Sequence, residues 1–446
     1  MIIGFSIIAF FVLIYYIIGY KRSFIIFFCY CFLDYGLKFL GGYTFKDAIL
    51  LLYLMYAVIY FKKDFYFKST AVVFIISYFL SELFASEHHW PATIFSLIRL
   101  FAPCYILSCI IEERKDLNFL IKSLITLSFI VCAYSFVELF LVFNPVVDLI
   151  YHFNHDSFTF YDYNNVRFGI QRLQAFFVHA TTFSYFCVML FAFFSIYLDS
   201  RLRKNMHLNV SYYIALFLLF VCTFLTGTRS SILPLIILAA ILLGSKSLKN
   251  SNSFFSITFF LAISIVIISS YFYDYLNDIY LSFVNNSKFQ GSSIEMREGQ
   301  FLATFKYWMH NPLFGGGIAY AGKMMKLDSD LWGAESIWMS LLMCYGIVGV
   351  IAYVYALLSC FKLLRFQRIK AYMFMFVIVF VNSFTSVPGL DLGFILSMVV
   401  IAKSINDLSD ENYRYTRIKG ELRHLIGRLG NVRNRVLHDK LINKPQ

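Results

Sequence analysis

Long apolar stretches separated by short polar segments recur along the chain from its first residue to about residue 403. Most of them approach the roughly 20 residues that a helix needs to cross about 30 Å of hydrocarbon. They lack the alternation of apolar and polar positions typical of membrane β-strands, and lipid offers no partner to an unpaired backbone, so each is predicted to be a helix. The predicted spans are residues 1–20, 23–42, 45–61, 69–85, 92–111, 119–143, 175–198, 210–227, 231–244, 254–273, 335–361, 372–387 and 390–403.

Two longer segments with many polar residues interrupt this pattern and divide the chain. The predicted order is an N-terminal transmembrane bundle, a loop, central helices, a larger loop, C-terminal helices and a tail. Their bounds are 1–143, 144–174, 175–273, 274–334, 335–405 and 406–446. Of the 446 residues, 60% are hydrophobic and only 14% are charged, which is typical of membrane proteins. We therefore predict an all-α polytopic integral membrane protein with about 12–13 transmembrane helices.

The net charge of +12 is concentrated in every second short loop, for example at Lys21 and Arg22 and at Arg114 and Lys115. This distribution follows the positive-inside rule and predicts that these loops are cytoplasmic. The two long loops and the short turn at 226–231 then face outward, with the C-terminus inside and the N-terminus outside. The basic tail has apolar residues at helical spacing, which predicts a helix lying on the anionic inner leaflet. We expect no nucleic-acid partner.

The cysteines and glycines give little evidence of chemistry. All nine cysteines lie within apolar spans, which predicts free, buried thiols. Neither a zinc-ligand spacing nor a nucleotide-binding loop is present in the sequence, so we predict no metal and no cofactor. Gly315–Gly317 follows Asn311-Pro312, and this segment is either a phosphate cradle or a plain loop turn.

Arginines on the predicted outer side are the main candidates for a site. Arg172 closes the first long loop, Arg229 lies in a short turn, and Arg297 lies near the start of a helix predicted to run to about His310. Arg99 lies in the outer half of a span, where a charge is costly. Guanidinium groups beside a helix N-terminus favour a phosphate ligand, so these four arginines predict an anion site.

Each arginine also has a plainer interpretation. Arg172 and Arg229 are also suited to reach lipid phosphates at the interface. Arg99 has Glu82 and Glu138 as candidate ion-pair partners at similar depth. Arg297 is placed to form a surface pair within its own helix.

Four motifs in order resemble the O-antigen polymerase and O-antigen ligase superfamily of bacterial inner-membrane glycosyltransferases. They are R-L-x-A-F-F-x-H from Arg172, L-T-G-T-R-S-S from Leu225, N-P-L-F-G-G-G from Asn311, and E-S-I-W-M-S-L-L-M-C-Y-G-I-V-G-V from Glu335. The resemblance covers roughly residues 165–355. It implies metal-independent transfer at the periplasmic face of undecaprenyl-pyrophosphate-linked oligosaccharide. It also implies a partner of the polysaccharide co-polymerase type that regulates chain length.

The residues at 335 and 336 favour the polymerase branch. The ligase typically has histidine followed by asparagine where this chain has Glu335-Ser336. Glu335 lies where an outer loop meets a span, and partial desolvation would make its carboxylate more basic, so it is our first candidate for the general base. A first-turn acid stabilised by the helix dipole is the alternative. His310 and His179 are weaker candidates for the base.

Sugar contacts are predicted for aromatic and polar residues of the outer segments. Ring faces stack on sugars, whereas an interfacial aromatic belt is the plainer explanation and the favoured one for Trp338. The aromatic candidates are residues 158–168, Trp308, Trp332 and Trp338, and the polar ones are Asp156, Asp162, Asn164, Asn165, Asp328 and Asp330. A ligase, or a flippase for the same lipid-linked unit, remains the alternative function.

Overall fold

The structure, a computed structural model, is a bundle of long apolar helices. It describes residues 2–32, 44–61, 63–148, 166–167, 170–177, 179–202, 209–244, 294–331, 336–364 and 392–408, with isolated positions at 258–259, 262 and 277. The predicted spans 254–273 and 372–387 lie largely or wholly outside this part of the chain, as do residues 409–446 of the tail.

The described helices agree closely with the predicted spans. In chain order they are α1 (Ile2–Ile18), α2 (Tyr20–Cys31), α3 (Phe45–Tyr60), α4 (Lys68–Leu83), α5 (Trp90–Ile110), α6 (Arg114–Leu141), α7 (Ala180–Leu202), α8 (Val210–Leu225), α9 (Arg229–Gly244), α10 (Ile294–Trp308), α11 (Tyr320–Leu327), α12 (Ile337–Leu364) and α13 (392–408). A 3-10 helix covers Ser329–Leu331, and a two-residue antiparallel pair joins β1 (Val166–Arg167) to β2 (Ile170–Gln171).

The protein is an all-α polytopic membrane protein, as the sequence predicts. Within the described residues, four helices are long and apolar enough to cross a membrane: α5, α6, residues Ala180–Leu198 of α7, and α12. Shorter apolar helices, among them α8 and most of α9, pack beside them. The count of 12–13 spans stays a prediction.

The helix connections lie at two ends of the bundle. At one end, Lys21 Nζ lies 2.6 Å from a carboxylate oxygen of Glu112, and Thr70 donates to Ser359. Loops that the positive-inside rule assigns to the cytoplasm therefore come together there. The other end carries residues 84–89, 142–148, 172–177, 226–228 and 309–319, and we call it the loop end.

The cysteines behave as predicted in the described residues. All nine are free thiols, eight of them buried and Cys31 partly buried. They add apolar volume to the helix contacts, as cysteine commonly does in protein interiors.

Candidate functional site

The turn that carries Arg229 joins two antiparallel apolar helices at the loop end. α8 ends at Leu225 and α9 begins at Arg229, so only Thr226, Gly227 and Thr228 connect them. The Thr228 carbonyl accepts hydrogen bonds from the amides of Ser231 and Ile232, at 3.1 and 3.2 Å. Arg229 is thus the first residue of a 16-residue helix. Its side chain lies outside the described part of the chain.

Arg172 is buried against this turn. Its side chain reaches from the first long loop, and only 5% of the residue is exposed. Nε donates to the Thr226 carbonyl at 2.9 Å, and Nη2 donates to Thr228 Oγ1 at 3.0 Å. The interpretation of Arg172 as an exposed residue reaching for lipid phosphates is therefore wrong. Instead, the structure brings Arg172 to the turn that begins the Arg229 helix.

Glu138 holds the segment that carries Arg172. This carboxylate, at the loop end of α6, is 1% exposed and accepts hydrogen bonds from the amides of Gln174 and Ala175, at 3.1 and 2.7 Å. Asn144 fixes the same segment, because its side-chain amide donates to the Ala175 carbonyl at 2.7 Å. Sequence reasoning considered Glu138 only as a partner for Arg99. The sequence feature that could have indicated this role is the position of Glu138, an acid one turn before the end of an apolar helix.

Two helix N-termini meet beside Arg172. α7 begins at Ala180, eight residues after Arg172, and α9 begins at Arg229. The Tyr185 hydroxyl lies 3.1 Å from Ser230 Oγ, which joins the second turn of α7 to the first turn of α9. Each N-terminus carries a partial positive charge, while the amides of Thr181 and Ser231 already donate to His179 Nδ1 and to the Thr228 carbonyl. The hydroxyls of Ser184 and Ser231, in these same turns, are buried and have no hydrogen-bond partner within the described structure.

The two histidine candidates have local structural contacts. Nδ1 of His179, which precedes α7, lies 2.7 Å from Thr181 Oγ1 and accepts the Thr181 amide at 3.3 Å. Nδ1 of His310, which follows α10 and is exposed, lies 3.0 Å from the Lys306 carbonyl. Both rings contact the ends of their own helices, which is the usual structural use of histidine at such places.

Arg297 is partly buried near the start of α10. α10 runs from Ile294 to Trp308, close to the predicted helix, and Arg297 is its fourth residue. The helix packs on α12 and on the 3-10 helix. Ser292 and Glu295 have the spacing of a capping box, which predicts that the helix begins just after Ser292, but Ser292 and the side chain of Glu295 lie outside the described residues. The structure therefore brings Arg172 to the Arg229 turn and places Arg297 on a helix that packs on α12.

Arg99 pairs with neither of the acids considered for it. Its Nε donates to Asp47 Oδ1 at 2.6 Å and its Nη2 to Oδ2 at 2.5 Å, so the pair is bidentate. Asp47 also caps α3, since its Oδ2 accepts from the Thr44 amide at 2.9 Å. The prediction that Arg99 pairs with Glu82 or Glu138 is therefore wrong. Both of these carboxylates accept hydrogen bonds from backbone amides instead. Asp47 was overlooked because the predicted span placed it among apolar residues.

Glu82 anchors the second long loop. The carboxylate is 1% exposed near the end of α4 and accepts hydrogen bonds from the His89 amide and from Thr93 Oγ1, the latter at 3.1 Å. The Ile318 amide lies 3.4 Å from the same carboxylate. Glu82 thus joins the connection between α4 and α5 to the loop that follows α10.

The glycine segment Gly315–Gly317 is a packed turn and not a phosphate cradle. The amides of Gly316 and Gly317 donate to the carbonyls of Met343 and Cys344, at 2.8 and 2.9 Å. These bonds occupy the amides that a phosphate would need. The α12 helix is interrupted at Gly346, where φ is 60°, and the amide of Ile347 donates to the Pro312 carbonyl at 3.0 Å. The loop and the interrupted helix therefore interlock.

We expect Gly315→Ala and Gly346→Ala to destabilise the protein strongly. Both glycines have positive φ, and an added Cβ would lie 2.5 Å from the carbonyl oxygen of Cys344 or of Leu313, respectively. Backbone strain and overlap together should cost at least about 2 kcal/mol. Thermal unfolding in lipid nanodiscs would measure the loss. Gly322→Ala is the matched control, because its Cβ meets nothing within 4 Å. Equal melting temperatures for all three variants would contradict the interlock.

Asp328, one of the residues predicted to contact sugar, has hydrogen bonds within its own loop. Its carboxylate accepts the Asp330 amide at 3.0 Å and the Tyr307 hydroxyl at 2.9 Å. These hydrogen bonds lower the pKa of Asp328 below its ordinary value, so it is ionised at neutral pH. Asp330 is exposed.

The remaining candidates divide between described and undescribed residues. Trp308 donates its Nε1 hydrogen to the Pro312 carbonyl at 2.9 Å. Trp338 is half-buried on the first turn of α12 and packs edge-on against Tyr353. Glu335, Trp332, Asp156, Asp162, Asn164 and Asn165 lie outside the described residues.

Comparison with protein families agrees with the motifs. Residues 214–354 match a family model described as O-antigen ligase. The matched region contains most of α8, the Arg229 turn, α9, α10 and most of α12, whereas Arg172 precedes it. This match confirms the predicted resemblance to the O-antigen polymerase and ligase superfamily. A search of curated proteins gives no match to the chain.

Proposed function

Given a central region of the O-antigen ligase type, we propose that the protein is the polymerase of this superfamily. In this proposal it joins undecaprenyl-pyrophosphate-linked oligosaccharide repeat units at the periplasmic face of the bacterial inner membrane. The Glu335-Ser336 sequence, which departs from the histidine and asparagine typical of the ligase, supports the polymerase over the ligase. Its donor is a lipid pyrophosphate, and its acceptor is a second lipid-linked repeat unit.

The burial of Arg172 against the Arg229 turn is the observation that carries this proposal. A guanidinium group fixed beside the N-termini of α7 and α9 adds a full positive charge to two helix dipoles. Buried hydroxyls without partners, such as those of Ser184 and Ser231, usually mark a polar ligand or water. Pyrophosphate, which has several charged oxygens, fits this combination of donors.

The chemistry follows from charge development. The acceptor hydroxyl attacks the anomeric carbon of the donor sugar, its proton goes to a base, and the bond to the pyrophosphate oxygen breaks. Negative charge grows on the leaving group, and fixed guanidinium groups stabilise it without reorganisation. We assign this role to Arg172 and Arg229, with Arg297 as a further donor and Glu335 as the base. Arg99 is left out, because Asp47 already holds it.

The proposed reaction is independent of metal, so EDTA should leave it unchanged. The bilayer and a chain-length regulator of the polysaccharide co-polymerase type are the proposed partners. Only the polymerase transfers sugar between two repeat units, with Glu335 as the base. A ligase and a flippase do not carry out this reaction. An activity assay with lipid-linked repeat units therefore separates the three functions.

The decisive experiment supplies purified protein in nanodiscs with a lipid-linked repeat unit and resolves the products on a gel. The wild type should form a ladder of polymers. Arg229→Ala and Glu335→Ala should each lower the rate by about 10²–10³-fold, as the loss of one transition-state contact commonly does. Glu113→Ala, an exposed acid 2.9 Å from Lys115 at the opposite end, is the matched control.

Other outcomes would identify the alternatives. Wild-type ladders from both variants would contradict the assigned residues. Transfer only onto added lipid A core would indicate a ligase. In cells, loss of a polymerase leaves lipid A capped with one repeat unit, loss of a ligase leaves no cap, and loss of a flippase leaves single units inside.

A further inference from the structure

Helix α10 has its polar and apolar faces reversed. The side that packs on the protein carries Gln300 and Thr304, each 1% exposed, with only the small Ala303 between them as a buried apolar residue. The opposite side carries Phe301, Leu302 and Phe305, which are 47%, 65% and 48% exposed. A helix in an aqueous loop normally shows the reverse arrangement. Several large apolar side chains on one outward face mark a contact with an apolar phase or a partner.

The exposed face continues beyond the end of the helix. Met309 and Leu313 are 67% and 55% exposed, and Met309 follows Phe305 by four residues, so it lies on the same side. Trp308 packs edge-on against Phe305, with ring centroids 5.3 Å apart. The apolar surface therefore extends from Phe301 to Leu313.

Hydrogen bonds to α12 fix the depth of this surface. The carbonyls of Pro312 and Leu313 accept from the amides of Ile347 and Val348, at 3.0 and 3.2 Å. The part of α12 from its interruption at Gly346 to its end at Leu364 spans about 27 Å at ~1.5 Å per residue, close to the ~30 Å hydrocarbon thickness. The end of α10 is thus level with the boundary of the hydrocarbon core.

The surface is also continuous with the sides of the spanning helices. Ile347 and Ile351 of α12 are 40% and 59% exposed, as expected for side chains that face lipid. The ring of Phe84, which directly follows α4, stacks on Phe314 with centroids 4.5 Å apart, and Phe314 follows the Leu313 whose carbonyl is bonded to α12. One apolar surface therefore runs from the α12 span onto α10.

Charged residues mark where this surface ends. Glu298 is exposed one turn before Phe301 and Leu302, on the same side of α10. Lys306 lies at the flank, and its Nζ lies 3.9 Å from Asp328, so the stem can lie along lipid while the charge reaches the polar side. Helix α10 is polar at its start and apolar at its end. This distribution fits a helix whose axis is tilted so that its C-terminal end lies deeper in the membrane interface than its start.

We infer that α10 is an interfacial helix, with Phe301, Leu302 and Phe305 inserted among the acyl chains of the leaflet at the loop end. Such a helix lies in the plane where headgroups meet hydrocarbon. The second long loop is therefore anchored to the bilayer at its centre, where the sequence predicts an outward-facing loop. This inference concerns the bilayer and does not depend on the proposed reaction.

Single cysteines at four positions test this inference in nanodiscs of phosphatidylethanolamine and phosphatidylglycerol. Leu302→Cys and Phe305→Cys lie on the apolar face, whereas Glu298→Cys and Lys323→Cys are exposed polar controls. We expect a membrane-impermeant maleimide to react at positions 302 and 305 at least about tenfold more slowly than at the controls, because acyl chains exclude the reagent and suppress thiolate formation. The unsubstituted protein supplies the background from the native thiols.

A second measurement identifies what covers the face. An environment-sensitive fluorophore attached to the new thiol of Leu302→Cys or Phe305→Cys should be quenched by doxyl-labelled phospholipid, and one attached to Glu298→Cys should not. Equal maleimide rates at all four positions, or no quenching at 302 and 305, would overturn the inference. Loss of that quenching when undecaprenyl phosphate is added would also overturn it, since the face would then bind the polyprenyl chain. None of these readouts requires transfer activity.

Discussion

Replacement of Arg172 by lysine is expected to abolish polymer formation while the protein remains folded. The guanidinium group donates from Nε to the Thr226 carbonyl and from Nη2 to Thr228 Oγ1. An ammonium group has no planar fork and cannot reproduce both contacts in the same place. We expect the rate of transfer to fall by about 10²-fold or more, as for the loss of a preorganised donor. The rate of ladder formation measures the effect.

The matched control for this substitution is Arg22→Lys. The Arg22 guanidinium lies 5.5 Å from the centroid of the Phe119 ring, at the opposite end of the bundle. Lysine there keeps the charge, so we expect a rate within about twofold of wild type, since surface pairs of this kind contribute little. A normal ladder from Arg172→Lys, with its melting temperature unchanged, would contradict a role for Arg172 in transfer.

Thr228 gives an independent test of the same contact if Arg172→Lys does not fold. Thr228→Val removes the hydroxyl that accepts from Arg172 Nη2 and keeps the shape of the side chain. Thr228→Ser retains the acceptor. We therefore expect the valine variant to lose transfer and the serine variant to keep most of it. Equal activity of the two would show that this hydrogen bond does not matter.

Hydrophobicity predicted the helices well because the bilayer imposes a simple rule. Any segment that crosses lipid must be apolar and must satisfy its own backbone, so α5, α6, α7 and α12 start and end near the predicted residues. The same rule describes only average polarity along the chain. It could not predict the interruption of α12 at Gly346, which depends on contacts with residues 312–317, about thirty positions earlier.

The candidate site was only partly predictable for a related reason. Charge placement along the chain pointed to Arg172 and Arg229, and the structure brings Arg172 to the Arg229 turn. The partner of Arg99 could not be predicted, since an ion pair between α3 and α5 requires knowledge of which helices are neighbours. The predicted depth in the membrane was the only guide, and it suggested Glu82 and Glu138 as partners of Arg99. Both instead satisfy backbone amides of loops that no hydrophobic pattern describes.

The faces of α10 illustrate a further limit of sequence patterns. A helical wheel gives the same amphipathic pattern whether the apolar side packs on protein or on lipid. Only the burial of Gln300 and Thr304, together with the exposure of Leu302, distinguishes the two. The sequence therefore predicted a helix with Arg297 on its first turn, running to about His310 within an outward-facing loop, whereas the exposed residues favour an interfacial helix.

Glu138 is expected to act on the reaction through Arg172, and Glu138→Gln should show this. The carboxylate accepts the amides of Gln174 and Ala175, and this segment follows Arg172 by only two residues. Both amides donate to Oε2, and the Gln174 amide also donates to Oε1 at 3.1 Å. A glutamine oxygen in the Oε2 position keeps the first two bonds, but the NH₂ group then faces the Gln174 amide and the negative charge is lost. Hydrogen bonds to a charged group are worth about 1.5–3 kcal/mol, so we expect transfer to slow by roughly 10–100-fold.

A double-mutant cycle distinguishes positioning from general destabilisation. If Glu138 works only by placing Arg172, then Glu138→Gln should have little further effect once Arg172→Lys is present, and the two losses should not multiply. Glu82→Gln is the matched control, because Glu82 is equally buried and also accepts a backbone amide, that of His89. The fold-reduction in transfer rate caused by Glu82→Gln should multiply with the fold-reduction caused by Arg172→Lys, because Glu82 holds a different loop.

The cycle has a clear contrary result. If the losses from Glu138→Gln and Arg172→Lys multiply as fully as those of the Glu82 control, then Glu138 supports the fold alone and does not position the guanidinium. If the two losses do not multiply, the site includes Glu138 as a buried acid that positions Arg172. In that case the loop end would hold its arginine through a carboxylate that never meets substrate, because Glu138 fixes the backbone two and three residues after Arg172, from which the guanidinium group reaches the turn.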